Sequence, residues 1–362
     1  MLSSTARRPF LGLPLLLLLL TSHAQNITTP RTPSPAATVS QTIGISTVTV
    51  SYSRPSVKGR AIWGTLVPYG YNKQGFGAGN DAPWRAGANE NTVIRLSHPA
   101  KIEGQAVPAG EYGLFFVVNQ DNTGEVILSK DSRSWGSFWY MPEHDLFRAK
   151  IKLNEVPMTE MLTYDFQNLT KTSAELDLNW EKKQFPVRIE FDVDAIVMAN
   201  AVEELKGPVG FNWQGYASAA NYALANKTNY DQAMAWIDRA VLINPNFNTL
   251  STKSKLLKAM GKEAQSDSLM HEAVAVGTEN DLNQFGYQLL NDKLYDRAIE
   301  VFILNTQKHP KSANTFDSLG EAYATKGDKK NAILNFKRSL SLNPPDATRQ
   351  NSEKYLKQLG AM

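Results

Sequence analysis

The residues best suited to chemistry lie in two short stretches, RPSVKGR at 54–60 and PWRAGANEN at 83–91. They combine cations, an indole, an amide and a carboxylate: Arg54, Lys58, Arg60, Trp84, Arg85, Asn89 and Glu90. Guanidinium groups bind planar anions in a bidentate way, amides add hydrogen bonds, and indoles provide flat walls. A pocket built from these groups would bind a carboxylate, a phosphate or a sugar. We therefore treat them as a candidate ligand-binding set.

The same residues also fit a structural role. If Glu90 paired with Arg60 or Arg85, the ion pair would clasp a loop against a sheet, because buried arginines need partners. No nucleophile, general base or metal ligand accompanies the block, which favours the clasp and a binding protein over an enzyme. The alternative is an enzyme or binding protein for an anionic small molecule or an envelope glycan. A close pair of carboxylates facing a cleft would support the enzyme.

The rest of the sequence offers little catalytic chemistry. Its five histidines have no zinc-binding spacing, there is no phosphate-binding loop, and GFGAGN at 75–80 lacks the dinucleotide spacing. Glu143, His144 and Asp145 are adjacent, but neighbouring side chains point apart, so we expect a solvated turn there. We predict no catalytic residues, no metal and no cofactor.

Period-two alternation predicts an all-β antiparallel sandwich, jelly-roll-like, over residues 38–194, with roughly eight strands. Strands are expected at 92–97, 112–119, 125–130, 147–153, 174–180 and 185–193. In 174–180 the even-numbered residues are apolar, which places Asp177 on the wet face. A slip in the pattern near Ser46 and Thr47 indicates a bulge or a tight turn.

After Asp194, which we expect to cap a helix, the apolar spacing becomes helical, and residues 195–212 are predicted as a connecting helix. The segments 279–312 and 313–346 then align with a period of 34 residues. The matched pairs are Asn280 and Asn314, Gly286 and Gly320, Ala298 and Ala332, Ile299 and Ile333, Phe302 and Phe336, and Pro310 and Pro344.

This period, with its small residues and prolines, resembles the tetratricopeptide repeat. The resemblance implies an all-α solenoid over 213–346, completed by a capping helix at 347–360 within a repeat domain of residues 213–362. It also implies a concave groove for a protein or peptide partner. The groove would be lined by Asn280, Asn283, Tyr287, Asn314, Asp317 and Glu321.

The sandwich region resembles domain-of-unknown-function family 2911 over about residues 38–194. The resemblance rests on Arg54-Pro55, Gly59-Arg60, Trp84-Arg85, Gly87-Ala88-Asn89 and Trp135-Gly136, with VPAGEYGLFF at 107–116 and LDLNW at 176–180. In the family the Trp-Arg pair closely follows a PYG turn, whereas YNKQGFGAGNDAP intervenes here. The family implies an exported protein of Bacteroidetes-type bacteria, often with tetratricopeptide repeats following, and supplies no reaction.

The N-terminus predicts export. Arg7 and Arg8 precede a leucine run, and the small residues Ser22 and Ala24 precede a cleavage point, so residues 1–24 read as a signal peptide. A twin-arginine signal is the minor alternative. Residues 25–37, rich in proline and threonine, are predicted as a disordered linker. We expect a periplasmic or secreted protein without a transmembrane anchor after cleavage.

Composition limits the partners further. The chain contains no cysteine, so disulfides, thiolate chemistry and a lipid-bearing cysteine are not expected. Without residues 1–24 it carries 36 basic and 35 acidic residues, a balance that argues against nucleic acid as a partner. The sequence thus favours an exported, non-enzymatic binding and scaffold protein at the bacterial envelope.

We expect the mature protein to begin near Gln25 and to accumulate outside the cytoplasm, because residues 7–24 have the order of a signal peptide. N-terminal sequencing of the exported form measures the cleavage point. An intact Met1 on soluble cytoplasmic protein would contradict this prediction.

Overall fold

The computed structural model describes residues 33–362 of the chain. The predicted signal peptide at 1–24 and residues 25–32 of the predicted linker lie outside the described residues. The first strand begins at Ala36, so the last two residues of the predicted linker belong to the sheet.

The described N-terminal region is built from antiparallel strands. These are β1 (Ala36–Ile43), β2 (Ser46–Ser53), β3 (Asn72–Lys73), β4 (Asp81–Ala82), β5 (Thr92–Leu96), β6 (Ala100–Ile102), β7 (Gln105–Val107), β8 (Gly110–Val118), β9 (Thr123–Ser129), β10 (Asp145–Lys152), β11 (Asn154–Gln167) and β12 (Ser173–Glu190). One sheet has the order β1-β2-β5-β8-β9-β10, a second has β11-β12-β6-β7, and β3 pairs with β4. The tight turn predicted near Ser46 joins β1 to β2.

The two larger sheets share one apolar core. Val50 and Leu114 from the first sheet and Leu178 and Ile189 from the second are all at most 1% exposed. Burying each such side chain stabilises the fold by about 1.5–3 kcal/mol. The predicted all-β antiparallel sandwich is confirmed.

The two strands predicted at 174–180 and 185–193 form one long strand, β12. Its buried apolar residues are even-numbered up to Trp180 and odd-numbered from Phe185 onward. Glu181, between them, has a φ of +53°, which is the left-handed region. A residue in this conformation breaks the alternation without ending the strand, so the two phases belong to one element.

Edge strand β11 was not predicted from the sequence. Most of its 14 residues are exposed or half-buried, and only Leu162 and Tyr164 are buried. It also contains Pro157, which lacks a backbone donor and is tolerated at a sheet edge. Strands β3, β4, β6 and β7 are two or three residues long, too short to show a period.

Two local predictions are wrong. Asp177 is 2% exposed and not on a wet face. The residue that caps the first helix is Asp192, whose side chain accepts a hydrogen bond from the Ala195 backbone N–H at 3.1 Å, and not Asp194. Strand β12 ends at Glu190, and the first helix begins at Val193, one residue before Asp194.

The C-terminal region is helical. Its helices are α1 (Val193–Glu204), α2 (Trp213–Ala225), α3 (Tyr230–Ile243), α4 (Phe247–Ala259), α5 (Glu263–Val276), α6 (Glu279–Asn291), α7 (Tyr295–Lys308), α8 (Ala313–Lys326), α9 (Lys329–Ser341) and α10 (Asp346–Gln358). Helices α6 and α8 begin 34 residues apart, as the sequence period predicts. No helix within residues 33–362 is long and apolar enough to cross a membrane.

Small residues allow the paired helices to cross closely. A Cβ on Gly286 of α6 would lie 2.5 Å from the Phe302 ring of α7, and one on Gly320 of α8 would lie 2.8 Å from the Phe336 ring of α9. Both rings are fully buried. The glycine at this position of each pair therefore creates the space that the phenylalanine fills.

Helix α1 joins the two regions. Its Val193 and Ile196 pack against the sandwich core, while Met198 belongs to the core of the first helices. The Tyr222 hydroxyl of α2 donates a hydrogen bond to Asp194 at 2.8 Å. The predicted start of the connecting helix, residue 195, lies two residues after the observed start at Val193.

We expect Gly320→Ala to lower the free energy of unfolding of the helical region by about 1–3 kcal/mol, because its methyl group would overpack the Phe336 ring. In an open helix the same change stabilises by about 0.5–1 kcal/mol. Urea unfolding followed by circular dichroism measures the difference.

The control is the same change in a Phe336→Leu background. With the ring removed, Gly320→Ala should become neutral or stabilising, so the two changes should be non-additive. A Gly320→Ala protein as stable as the parent would show that the helices cross less tightly than described.

Candidate functional site

A pocket of about 450 Å³ opens beside the 83–91 loop. Five of the candidate residues line it: Lys58, Arg60, Trp84, Arg85 and Asn89. The apolar part of the lining was not predicted from the sequence and is formed by Pro55, Leu66, Val67 and Trp180. Two of them had a visible signal in the sequence: Pro55 stands in the stretch at 54–60, and Trp180 is the last apolar residue of the 174–180 alternation.

Two of the candidate residues, Arg54 and Glu90, do not line the pocket. The Arg54 guanidinium donates hydrogen bonds to the Leu162 carbonyl at 2.9 Å and the Thr163 hydroxyl at 2.6 Å. Arg54 therefore fastens the loop after β2 to the edge strand β11.

The loop after β2 holds Lys58 at the pocket. The backbone N–H of Val57 donates to the Glu160 carbonyl at 2.8 Å, and that of Lys58 donates to the Glu160 carboxylate at 2.9 Å. Lys58 itself is exposed and has a φ of +48°. Two hydrogen bonds to β11 thus hold a lysine in a conformation that it rarely adopts.

Trp84 fixes the loop to both sheets. Its backbone exchanges two hydrogen bonds of 2.9 Å with Phe116 of β8. Its indole stacks on that of Trp180 of β12, with ring centroids 5.8 Å apart and an angle of 17° between the planes. Trp63 meets both indoles edge-on at 5.8 and 5.9 Å and donates a 3.1 Å hydrogen bond to Glu181.

Arg85 is held on three sides. It donates a 2.5 Å hydrogen bond to the Asn89 carbonyl, and its guanidinium lies 5.2 Å from the centroid of the Phe138 ring. A Cβ on Gly136, whose φ is +61°, would lie 2.4 Å from the guanidinium carbon, so a larger residue there would displace the Arg85 side chain. Burial of this cation lowers its pKa from the ordinary value.

The loop is a clasp, but not the predicted one. Arg85 donates to the Asn89 carbonyl, and Arg60 donates to the carbonyls of Ser56 and, at 3.1 Å, Val57. Neither guanidinium is paired with the Glu90 carboxylate within residues 33–362. Backbone carbonyls satisfy the geometry of an arginine without cancelling its charge. The clasp and the pocket therefore coexist in the same residues.

Further polar groups lie outside the pocket, and the sequence analysis did not identify them as buried. Asp145, expected in a solvated turn, accepts hydrogen bonds from the Tyr140 hydroxyl at 2.6 Å and Arg148 at 2.7 Å, and its side chain is only 7% exposed. Burial raises the pKa of this carboxyl. Arg148 also lies over Tyr71, whose pKa burial and the Glu125 carboxylate raise to about 12.

Asp177 is a second buried acid. Gln184 donates a 3.0 Å hydrogen bond to one of its oxygens, and the other has no hydrogen-bond partner among the described residues. Burial, followed by the charges of Glu175 and Asp165, raises its pKa to about 7. Within residues 33–362, no group of three or more His, Asp or Glu side chains could hold a metal ion.

Some of the predicted groove residues are exposed, and others are engaged in hydrogen bonds between helices. Asn280 and Asn314 are exposed at the same position of consecutive repeats. The Tyr287 hydroxyl donates to Glu321 at 3.1 Å and so joins α6 to α8. Asp317, which the groove prediction included, is 5% exposed.

Helix α10 accounts for the burial of Asp317. Asn351 donates to this carboxylate at 2.8 Å, and the Ser352 hydroxyl donates to its other oxygen. Asn351 also donates to Glu321. Asp317 therefore holds the last helix in place, and among the predicted groove residues Asn280 and Asn314 are the exposed ones.

These two regions define the class of protein. An antiparallel β-sandwich is followed by tetratricopeptide repeats, which form a protein-interaction module. Residues 34–189 match the family described as "Protein of unknown function (DUF2911)", and residues 313–346 match the family described as "Tetratricopeptide repeat". Both families and their order agree with the sequence prediction. The comparison with curated proteins finds no match.

Solved structures of low sequence identity resemble part of this chain. YrrB, "a TPR protein with an unusual peptide-binding site", is 19% identical over 45% of this chain and 89% of its own, with a TM-score of 0.28. PilF of Pseudomonas aeruginosa is 19% identical over 42% and 71%, with a TM-score of 0.28. MamA from Desulfovibrio magneticus RS-1 is 15% identical over 43% and 88%, with a TM-score of 0.28.

We expect Arg85→Ala to lower the free energy of unfolding by about 2–4 kcal/mol. The variant loses a charge-assisted hydrogen bond, worth about 1.5–3 kcal/mol, and a cation–π contact, worth about 0.5–2 kcal/mol. Tryptophan fluorescence during urea unfolding measures the loss, since Trp63, Trp84 and Trp180 surround the loop.

The matched control is Arg95→Ala on β5. Arg95 pairs with Glu111, and its side chain is 66% exposed, so its loss should change stability by at most about 1 kcal/mol. Equal losses in the two variants would show that Arg85 does not clasp the loop.

Proposed function

We propose that the chain is an exported, non-enzymatic scaffold protein of the bacterial envelope, in which the tetratricopeptide repeats hold a protein or peptide partner. Export is supported by the order of charged, leucine-rich and small residues over 7–24. The family resemblance of the sandwich region supports the same compartment.

The observation that carries the proposal is the repeated polar face of α6 and α8. Asn280 and Asn314 are exposed and 34 residues apart, and an asparagine amide both donates to and accepts from a peptide backbone. The Tyr287–Glu321 hydrogen bond keeps the two helices in register. Two amides at matching positions of helices held in register can bond the backbone of an extended peptide.

Helix α10 defines where this face ends. Asn351 lies 34 residues after Asp317, so α10 occupies the place of the first helix in a further repeat. Its Tyr355 ring stacks on Phe336 at 5.0 Å, and Leu356 is 2% exposed. Helix α10 covers the end of the last repeat. The surface that remains for the partner begins at Asn280 on α6.

We expect the double variant Asn280→Ala/Asn314→Ala to weaken partner binding about tenfold, because two hydrogen bonds contribute about 0.5–1.5 kcal/mol each. A photo-crosslinking amino acid at Gln284, an exposed residue of α6, would first identify the partner in cells. Isothermal titration calorimetry with the purified partner then measures the change.

The matched control is Gln307→Ala on α7, which removes one exposed amide from the second helix of the pair. It should change the affinity by less than about twofold. If the double variant binds the partner as tightly as the parent does, the partner does not use this face.

A further inference from the structure

We propose that the pocket beside Trp84 is a binding site for a small ring compound that carries one carboxylate or phosphate. This site lies in the sandwich, apart from the α6 and α8 surface, so it stands or falls independently of the repeat function. Three features of the pocket fit such a ligand: positive charge, an aromatic wall and a preformed backbone.

The charge of the pocket is positive. Lys58, Arg60 and Arg85 line it, and none of the described lining residues is acidic. The two guanidinium groups donate to backbone carbonyls, and the Lys58 ammonium has no hydrogen-bond or ion-pair partner within residues 33–362. Like charges that line one cavity repel each other, and an anion that enters relieves this repulsion.

The wall of the pocket suits a ring. Trp84 is partly exposed and is supported from behind by its stack on Trp180, while Leu66, 46% exposed, adds an apolar edge. The buried indole N–H of Trp180, also a lining residue, has no hydrogen-bond partner among the described residues. A cavity of about 450 Å³ is far larger than a phosphate ion and falls in the usual range for a ligand of one or two rings.

The backbone around the pocket is held in an unusual conformation. Lys58, Ala86 and Asn89 have φ values of +48°, +55° and +62°. The hydroxyls of Thr92 and Tyr164 both donate to the Ala86 carbonyl at 3.0 Å and fix this conformation from the core. Left-handed residues that the surrounding structure holds in place are concentrated at binding sites, because they preorganise the groups that contact the ligand.

The test is a calorimetric titration of the purified full chain with four probes: D-glucuronate, D-glucose 6-phosphate, 4-hydroxybenzoate and neutral D-glucose. At least one anion should bind with saturation below about 10 mM and at least about tenfold more tightly than glucose. The three anions distinguish an acidic sugar, a sugar phosphate and an aromatic acid. Affinity should fall as salt is added, because the cations at the rim are screened.

Two variants locate the binding in this pocket. Lys58→Asn removes a cation at a φ that asparagine accepts, and Leu66→Glu adds an acid to the rim. Each should weaken anion binding about fivefold or more. The matched controls are Lys227→Asn, at a φ of +53° in the turn after α2, and Leu334→Glu, 65% exposed on α9. Both controls should leave the affinity unchanged.

The proposal is overturned if none of the three anions saturates below about 10 mM. It is also overturned if glucose binds as tightly as the anions, or if both pocket variants bind like their controls. A fifth titration, with inorganic phosphate, tests the aromatic wall: phosphate binding as tightly as glucose 6-phosphate would show that the ring contributes nothing and would overturn the proposed ligand class.

Discussion

The stack of Trp84 on Trp180 is the contact on which the sandwich and its pocket depend. Trp84 belongs to a loop, and its backbone is tied to β8 in one sheet, while Trp180 belongs to β12 in the other. The stack therefore bridges the two sheets and fixes the position of the 83–91 loop relative to both of them. Aromatic pairs contribute about 0.5–1.5 kcal/mol beyond their buried area, and here they also place Arg85.

The arginines of the loop can both fasten it and line the pocket because their hydrogen-bond acceptors are backbone carbonyls and not carboxylates. An arginine paired with a carboxylate is neutralised, whereas one that donates to a carbonyl keeps its charge. Arg60 and Arg85 both donate to carbonyls, so they tie the loop and still present positive charge. The same side chains therefore hold the loop and line the pocket.

The helical region is stabilised differently from the sandwich, because each helix packs mainly against the helices next to it in the chain. Gly286 with Phe302 and Gly320 with Phe336 repeat one packing solution at a period of 34 residues. Helix α10 packs on the repeat formed by α8 and α9 and bonds Asp317 of α8 through Asn351 and Ser352. Helix α1 links this array to the sandwich because its two ends contribute side chains to two different cores.

The sequence by itself determined two features that depend on local periodicity, the antiparallel sandwich and the 34-residue helical repeat. Its motifs indicated the order of the two families through resemblance, and its residue types indicated five of the residues that line the pocket. Only the tertiary structure decided the partners. It paired Arg85 with the Asn89 carbonyl, moved Arg54 to β11, buried Asp177, and used Asp317 to hold α10. The physical reason is that burial alternates along one strand or helix and is written in neighbouring residues. The partner of a polar side chain, in contrast, comes from segments far away in the sequence, and their approach is fixed by packing.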